Sequence, residues 1–164
     1  MLDEETIVVL GKRLLGGICA EDVVAWANAE LALGKDPPTL RILASSGPPF
    51  HWSEVEDAFL LTLSELGIEP PAPDLTLWRY AEYVAQQLLN DKIGAVQACQ
   101  IISQVYIQLD YPRELAVWDN LDDAWLNISS GYKDYLTPAV TRDNFPDRVR
   151  NEAAEFLARP LHGA

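Results

Sequence analysis

The chain has little cysteine, little histidine and few positive charges, and each shortage removes a class of function. Its two cysteines, Cys19 and Cys99, form no CxxC pair and no Cys/His cluster, which excludes a structural zinc site of the usual spacing. The start of the chain is acidic (Asp3, Glu4, Glu5) where a secretory leader is basic. Both thiols are therefore expected to be reduced, buried and structural. Long apolar runs are missing as well. The most apolar stretches, 7–10 and 58–61, are far too short to cross a bilayer, so a soluble, cytoplasmic protein without membrane association is expected.

Histidine is confined to His51 and His162. His162 lies within three residues of the C-terminus, where fraying makes a poor catalytic group. His51 precedes an acidic helix start, and with Glu54 and Asp57 it could hold a metal or form an acid–base pair. It lacks HExxH spacing and an evident third ligand. There is no GxSxG elbow, Walker loop or GxGxxG, and Gly16 and Gly17 read as a helix stop. Asp119, Asn120, Asp122 and Asp123 lack the alternate spacing, the glycine and the distal glutamate of a calcium loop, and read instead as a capping cluster. The sequon at Asn127 carries no weight without a secretory signal. No catalytic residue, metal or cofactor is expected.

Positive charge is the scarcest resource. Twelve Lys and Arg face twenty-five Asp and Glu, a formal charge of −13, which repels nucleic-acid phosphates and anionic membrane surfaces. Arg142, Arg148 and Arg150 make the one basic cluster, and Glu152 and Glu155 follow at spacings that suit helical ion pairs, so nucleic-acid binding is not expected. Between Arg41 and Arg79 there is no Lys or Arg at all, while Glu54, Glu56, Asp57, Glu65, Glu69 and Asp74 fall there. That stretch is either a solvated face or a docking surface for a basic protein.

What the chain does have is helix-forming pattern. Hydrophobic residues make up 49%, enough for a globular core and too much for a disordered chain. Apolar residues at helical spacing, end charges and Gly or Pro stops predict helices at about 3–15, 20–33, 40–44, from Ser53 as a cap to Gly67, from Asp74 or Thr76 to Leu88, 93–109, 113–118, 121–128 and 146–158. The helix at 93–109 carries no charge, which suits a central position. No strand is expected. The fold class is all-α, a bundle of about six to eight helices.

Glu69, Pro70, Pro71 and Pro73 mark a stiff linker. One domain over 1–164, or two similar helical units, 1–68 and 74–164, both fit. The landmarks Leu14, Leu15, Ile18, Asp36 and Pro38 recur in order as Leu88, Leu89, Ile93, Asp110 and Pro112. Glu56 to Leu60 then resembles Asp122 to Leu126. A duplication predicts equivalent central places for helices 20–33 and 93–109, whereas convergent helix–loop patterning explains the landmarks without one.

Trp118 and Trp125 bracket Asp119, Asp122 and Asp123, with Tyr132 and Tyr135 nearby. Aromatics beside acids suit anchors for a basic partner, although tryptophan at helical spacing also suits a core, as expected of Trp26 and Trp78. The reading of the whole is a non-enzymatic acidic module that binds a basic protein through Glu54, Glu56, Asp57, Trp118, Asp119, Asp122 and Asp123, of the type of an immunity protein or antitoxin. The alternative is a small-ligand or metal protein, or an enzyme, with a groove near His51. A structural oligomer with no ligand is the third.

Overall fold

The computed structural model describes residues 2–132, 137 and 139–159, and among the described residues every regular element is helical. The helices are α1 (Glu4–Leu14), α2 (Ala20–Ala32), α3 (Pro38–Ser45), α4 (Trp52–Glu65), α5 (Pro73–Leu89), α6 (Ala95–Gln108), α7 (Ala116–Ser129) and α8 (Phe145–Ala158), with a 3-10 turn at Arg113–Leu115. The chain is thus all-α. None of the described helices is long and apolar enough to cross a membrane. It divides into two units, Met1–Thr76 and Leu77–Ala164, so the division falls in the first turn of α5 and not in the proline linker. Pro73 itself opens α5, because a proline at the first helical position loses no hydrogen bond.

In the first unit α2 packs against α1, α3 and α4. Its Val23, Trp26 and Ala27 are enclosed with Leu40 and Leu43 of α3 and Phe59 and Leu63 of α4. Trp26 meets Phe59 edge to face, 5.0 Å between centroids. Its indole N–H donates to Thr6 Oγ1 on α1 at 3.0 Å.

A buried charge closes this unit. Glu30 on α2 has no exposed surface, and its carboxylate Oε2 accepts from the Lys35 ammonium. Gly34, at φ +84°, turns the chain so that the Lys35 backbone N–H also returns to Glu30 O at 3.2 Å. Lys35 reaches on to Asp3 at 3.1 Å, and Asp3 caps α1 by accepting from Thr6 N–H at 2.8 Å. Burial alone would lower the Lys35 pKa, but its hydrogen bonds to Glu30 and Asp3 raise it. Burial likewise opposes the Asp3 carboxylate, yet Thr6 and Lys35 hold its pKa below the usual value.

In the second unit α6 touches α7, α8 and the 3-10 turn, and α7 touches α6, α8 and the same turn, so α6 and α7 share the middle of the unit. The buried side of α6 is Ala98, Cys99, Ile102, Ser103 and Val105. Trp118 and Phe156 meet edge to face at 6.2 Å, and Trp125 lies against Phe145 at 4.7 Å. Arg150 donates to Leu88 O at 3.2 Å, Leu89 O at 3.3 Å and Asp91 Oδ1 at 2.7 Å, capping the end of α5.

Several local expectations are corrected. Cys19 is exposed at the N-cap of α2, not buried in a helix, because α2 begins one residue later. His51, not Ser53, holds the N-cap position of α4. Asp74 lies inside the first turn of α5, and Thr76 donates back to Ala72 O at 3.2 Å instead of capping. The expected helices at 113–118 and 121–128 are a 3-10 turn and one continuous α7. Asp and Asn disfavour a helix interior only weakly, and 116–129 contains no Gly or Pro to break it.

Lys35→Met should destabilise the protein by about 2–3 kcal/mol in urea unfolding, below the ~3–5 of a fully buried pair because Lys35 is partly exposed. Lys35 has a raised pKa, so its contribution is complete below the unfolded value, about 10.4, and fades as pH rises through the folded one. Asp3 has a lowered pKa, so its contribution is complete above about 3.9 and fades as pH falls through the folded value. The difference between wild type and variant should therefore be flat near neutrality and shrink at both extremes. A difference constant from acid to alkali would contradict this account.

Candidate functional site

The cation-free stretch of the sequence becomes α4 and its approaches. α4 turns Val55, Phe59, Thr62 and Leu63 inward. Glu54, Asp57, Leu60 and Leu61 stand at i, i+3, i+6 and i+7 and so share the outward side. All four are exposed, Leu60 at 43% and Leu61 at 54%, and Trp52 at the helix start is exposed as well. This mixture of carboxylates and large apolar side chains on one helix face was not expected from the sequence. The signal lies in the apolar run at 58–61, which extends past the buried stripe of Val55, Phe59 and Leu63.

The acids of this stretch divide into two groups. Glu56 accepts from Arg13 Nε at 3.1 Å and Nη2 at 2.8 Å, tying α4 to α1. Glu65 accepts from Thr39 N–H at 3.0 Å and Thr39 Oγ1 at 2.9 Å. It thereby caps α3, whose own N-cap, Pro37, has no side chain able to do so. Glu54 and Asp57 accept no hydrogen bond from the described residues. Glu56 is thus drawn into the unit, while Glu54 and Asp57 remain on the surface.

Positive charge cannot reach them from within the unit. Lys12, Arg13, Lys35 and Arg41 are the only Lys and Arg residues of 1–76. Lys12 pairs with Asp22, Arg13 with Glu56, Lys35 with Glu30 and Asp3, and Arg41 with Asp36.

Beside Glu54 a cavity of about 220 Å³ opens between α3, the loop 46–51 and the first turns of α4. His51 and Glu54 both line it, which brings together two of the three groups considered for a metal or acid–base site. Asp57 is not part of its wall. Among the described residues no group of three His, Cys, Asp or Glu is placed to hold a metal ion.

The second acidic group lies on α7. Trp118 is fully enclosed, so it belongs to the core and offers nothing to a partner. Asp119 accepts from Ser103 Oγ at 2.8 Å and so helps join α7 to α6. Asp122 is half-buried, and its pKa is raised by burial first and then by Asp123 and Asp119. Asp123 is exposed, as are Leu126 and Tyr132. Trp125 is partly buried against Phe145, and Tyr135 and His162 lie outside the described residues.

No protein-family model matches the chain, and comparison with curated proteins and with solved structures finds no match. The site rests on its own geometry.

Neither thiol is set up as a nucleophile. The exposed Cys19 has its pKa raised by its hydrogen bond to Asp22, and the buried Cys99 has its pKa raised by burial. The expected pairing of the basic cluster with Glu152 and Glu155 does not occur. Arg159 pairs with both at 3.4 and 3.6 Å, Arg150 caps α5, and Arg142 donates to Ile128 O at 3.3 Å.

The raised pKa of Asp122 has a definite sign. A carboxyl whose folded pKa exceeds its unfolded one opposes folding above the folded value, and that cost fades as pH falls toward about 3.9. Asp122→Asn should therefore stabilise the protein at pH 7 by about 0.5 kcal/mol, the scale of relieving one like-charge helical pair. The gain should vanish near pH 3 in parallel urea titrations.

Proposed function

We propose that this protein binds a basic protein partner through the outward face of α4, and acts in the manner of an immunity protein or antitoxin that neutralises a cationic protein. The observation that carries the reading is the state of the charges in 1–76. Every cation is committed to an internal pair, while Glu54 and Asp57 stand exposed and unpaired beside Leu60 and Leu61. Exposed apolar area next to like charges offers a partner both water release and a complementary potential. A purely solvating face needs only the charges. The α7 group supports the reading less, because only Asp123 of its acids is both exposed and unengaged.

The test is affinity capture from the source lysate with wild type, with Glu54→Lys/Asp57→Lys and with Asp123→Lys. A stoichiometric basic protein should be held at low salt and released at high salt. It should be lost with the α4 reversal and kept with the α7 one. The association rate of the isolated pair should fall by roughly tenfold or more on raising ionic strength, as electrostatic steering requires. A partner insensitive to both salt and the α4 reversal would overturn this function.

A further inference from the structure

We propose that the cavity beside Glu54 is a specificity pocket that receives the side chain of a single lysine or arginine of the basic partner; the inference rests on the reading of α4 given above. At about 220 Å³ the space lies below the roughly 300–1,000 Å³ of pockets that bury cofactors and drug-sized ligands. It holds one long side chain. Its walls are of two kinds. Ile42, Phe50 and Ala58 supply apolar surface, and Ser46, His51 and Glu54 supply polar groups. That is the division a lysine or arginine needs, since its methylene stem takes apolar cover and its head requires a carboxylate or hydroxyl.

The charge of the cavity favours a cation over an anion. It sits near the first turn of α4, whose free N–H groups amount to about half a positive charge. Glu54 places a full negative charge in that same turn, no Lys or Arg of the unit is left to neutralise it, and His51 is the one other titratable side chain in the cavity wall. The end of α3 also borders the space and turns the opposite, negative pole of a helix toward it. Glu54 belongs both to the cavity and to the outward face of α4. A basic partner laid across Asp57, Leu60 and Leu61 is therefore led to the cavity by one continuous surface.

The experiment uses the whole protein, labelled with ¹⁵N, and three probes at pH 8: the Nα-acetyl methylamides of lysine, of arginine and of norleucine, which has a lysine-like stem without the charge. Lysine or arginine amide should shift the Ser46, Gly47, His51 and Glu54 amide signals saturably, and norleucine amide should not. Glu54→Gln, at an exposed and unpartnered position, should weaken this binding by about fivefold, the upper range for one exposed ion pair, while Asp123→Asn on α7 leaves it unchanged. Equal binding of norleucine amide, equal shifts at Asp122 and Asp123, or no shifts at all would each overturn the pocket. A leucine–lysine amphipathic peptide separates the two proposals. Shifts at Asp57, Leu60 and Leu61 with a silent cavity would leave the α4 reading standing and remove the pocket. A peptide that leaves the α4 face silent while the amides fill the cavity would overturn both as stated, leaving a site for free cations.

Discussion

A carboxylate without exposed surface must be matched, and the arrangement of the first unit follows from how Glu30 is matched. Isolating such a charge in a protein interior costs several kcal/mol, so Glu30 is compatible with folding only if a cation reaches it. The cation is Lys35, and it arrives because Gly34 adopts a conformation that a side chain would strain. Lys35 then holds Asp3, Asp3 holds the start of α1, and Thr6 in that first turn takes the Trp26 indole. The chain of contacts runs from one buried oxygen to the largest side chain of the core. Among the described residues none donates a hydrogen bond to Glu30 Oε1, so Lys35 satisfies only one of the two carboxylate oxygens.

The same economy governs the rest of the unit's charge. Four cations must serve the α1–α4 tie, the start of α2, the buried Glu30 and the Asp36 turn, and none remains over. The acid excess of the sequence therefore does not spread evenly. It accumulates where no internal partner is within reach, and α4 is such a place. Glu56 and Glu65 have a partner on a neighbouring element within reach and become structural, whereas Glu54 and Asp57 have none. What lies within reach, and not rotation alone, sorts the four carboxylates of one helix into two roles.

That sorting also explains what was legible in the sequence. Helix positions were readable nearly throughout, because capping charges, Gly stops and apolar spacing act locally. The differences are at boundaries: Ser53 and Thr76 lie inside α4 and α5 instead of capping them, Cys19 stands at an N-cap, and the acids at 119–123 suggest a helix start that falls inside α7. Depth was harder to read than position. Trp118, expected as a surface anchor, is enclosed because its side of α7 faces its neighbours, and Cys19, expected in the core, is exposed because it stands at the N-cap before α2 begins. The acidic site was legible as a stretch but not as a surface. Nothing in the order of residues tells that Arg13, forty-three positions away, takes Glu56 and leaves Glu54 free.

An acidic face alone is a weak basis for recognition, because exposed ion pairs contribute little and salt screens them. The α4 face differs in carrying Leu60 and Leu61 beside its charges. Exposed leucines in a folded protein cost nothing by themselves, but covering two adjacent ones on association releases water without requiring any charge to be desolvated. Charge then governs which proteins approach and how fast, and apolar contact governs which of them stay. In such a division Glu54 and Asp57 set the approach, and the leucines and the neighbouring cavity set the residence. The two contributions differ in their response to salt: electrostatic steering weakens as ions are added, while apolar burial does not. Raising salt should accordingly slow the formation of a complex here and, by screening Glu54 in the cavity wall, also hasten its release.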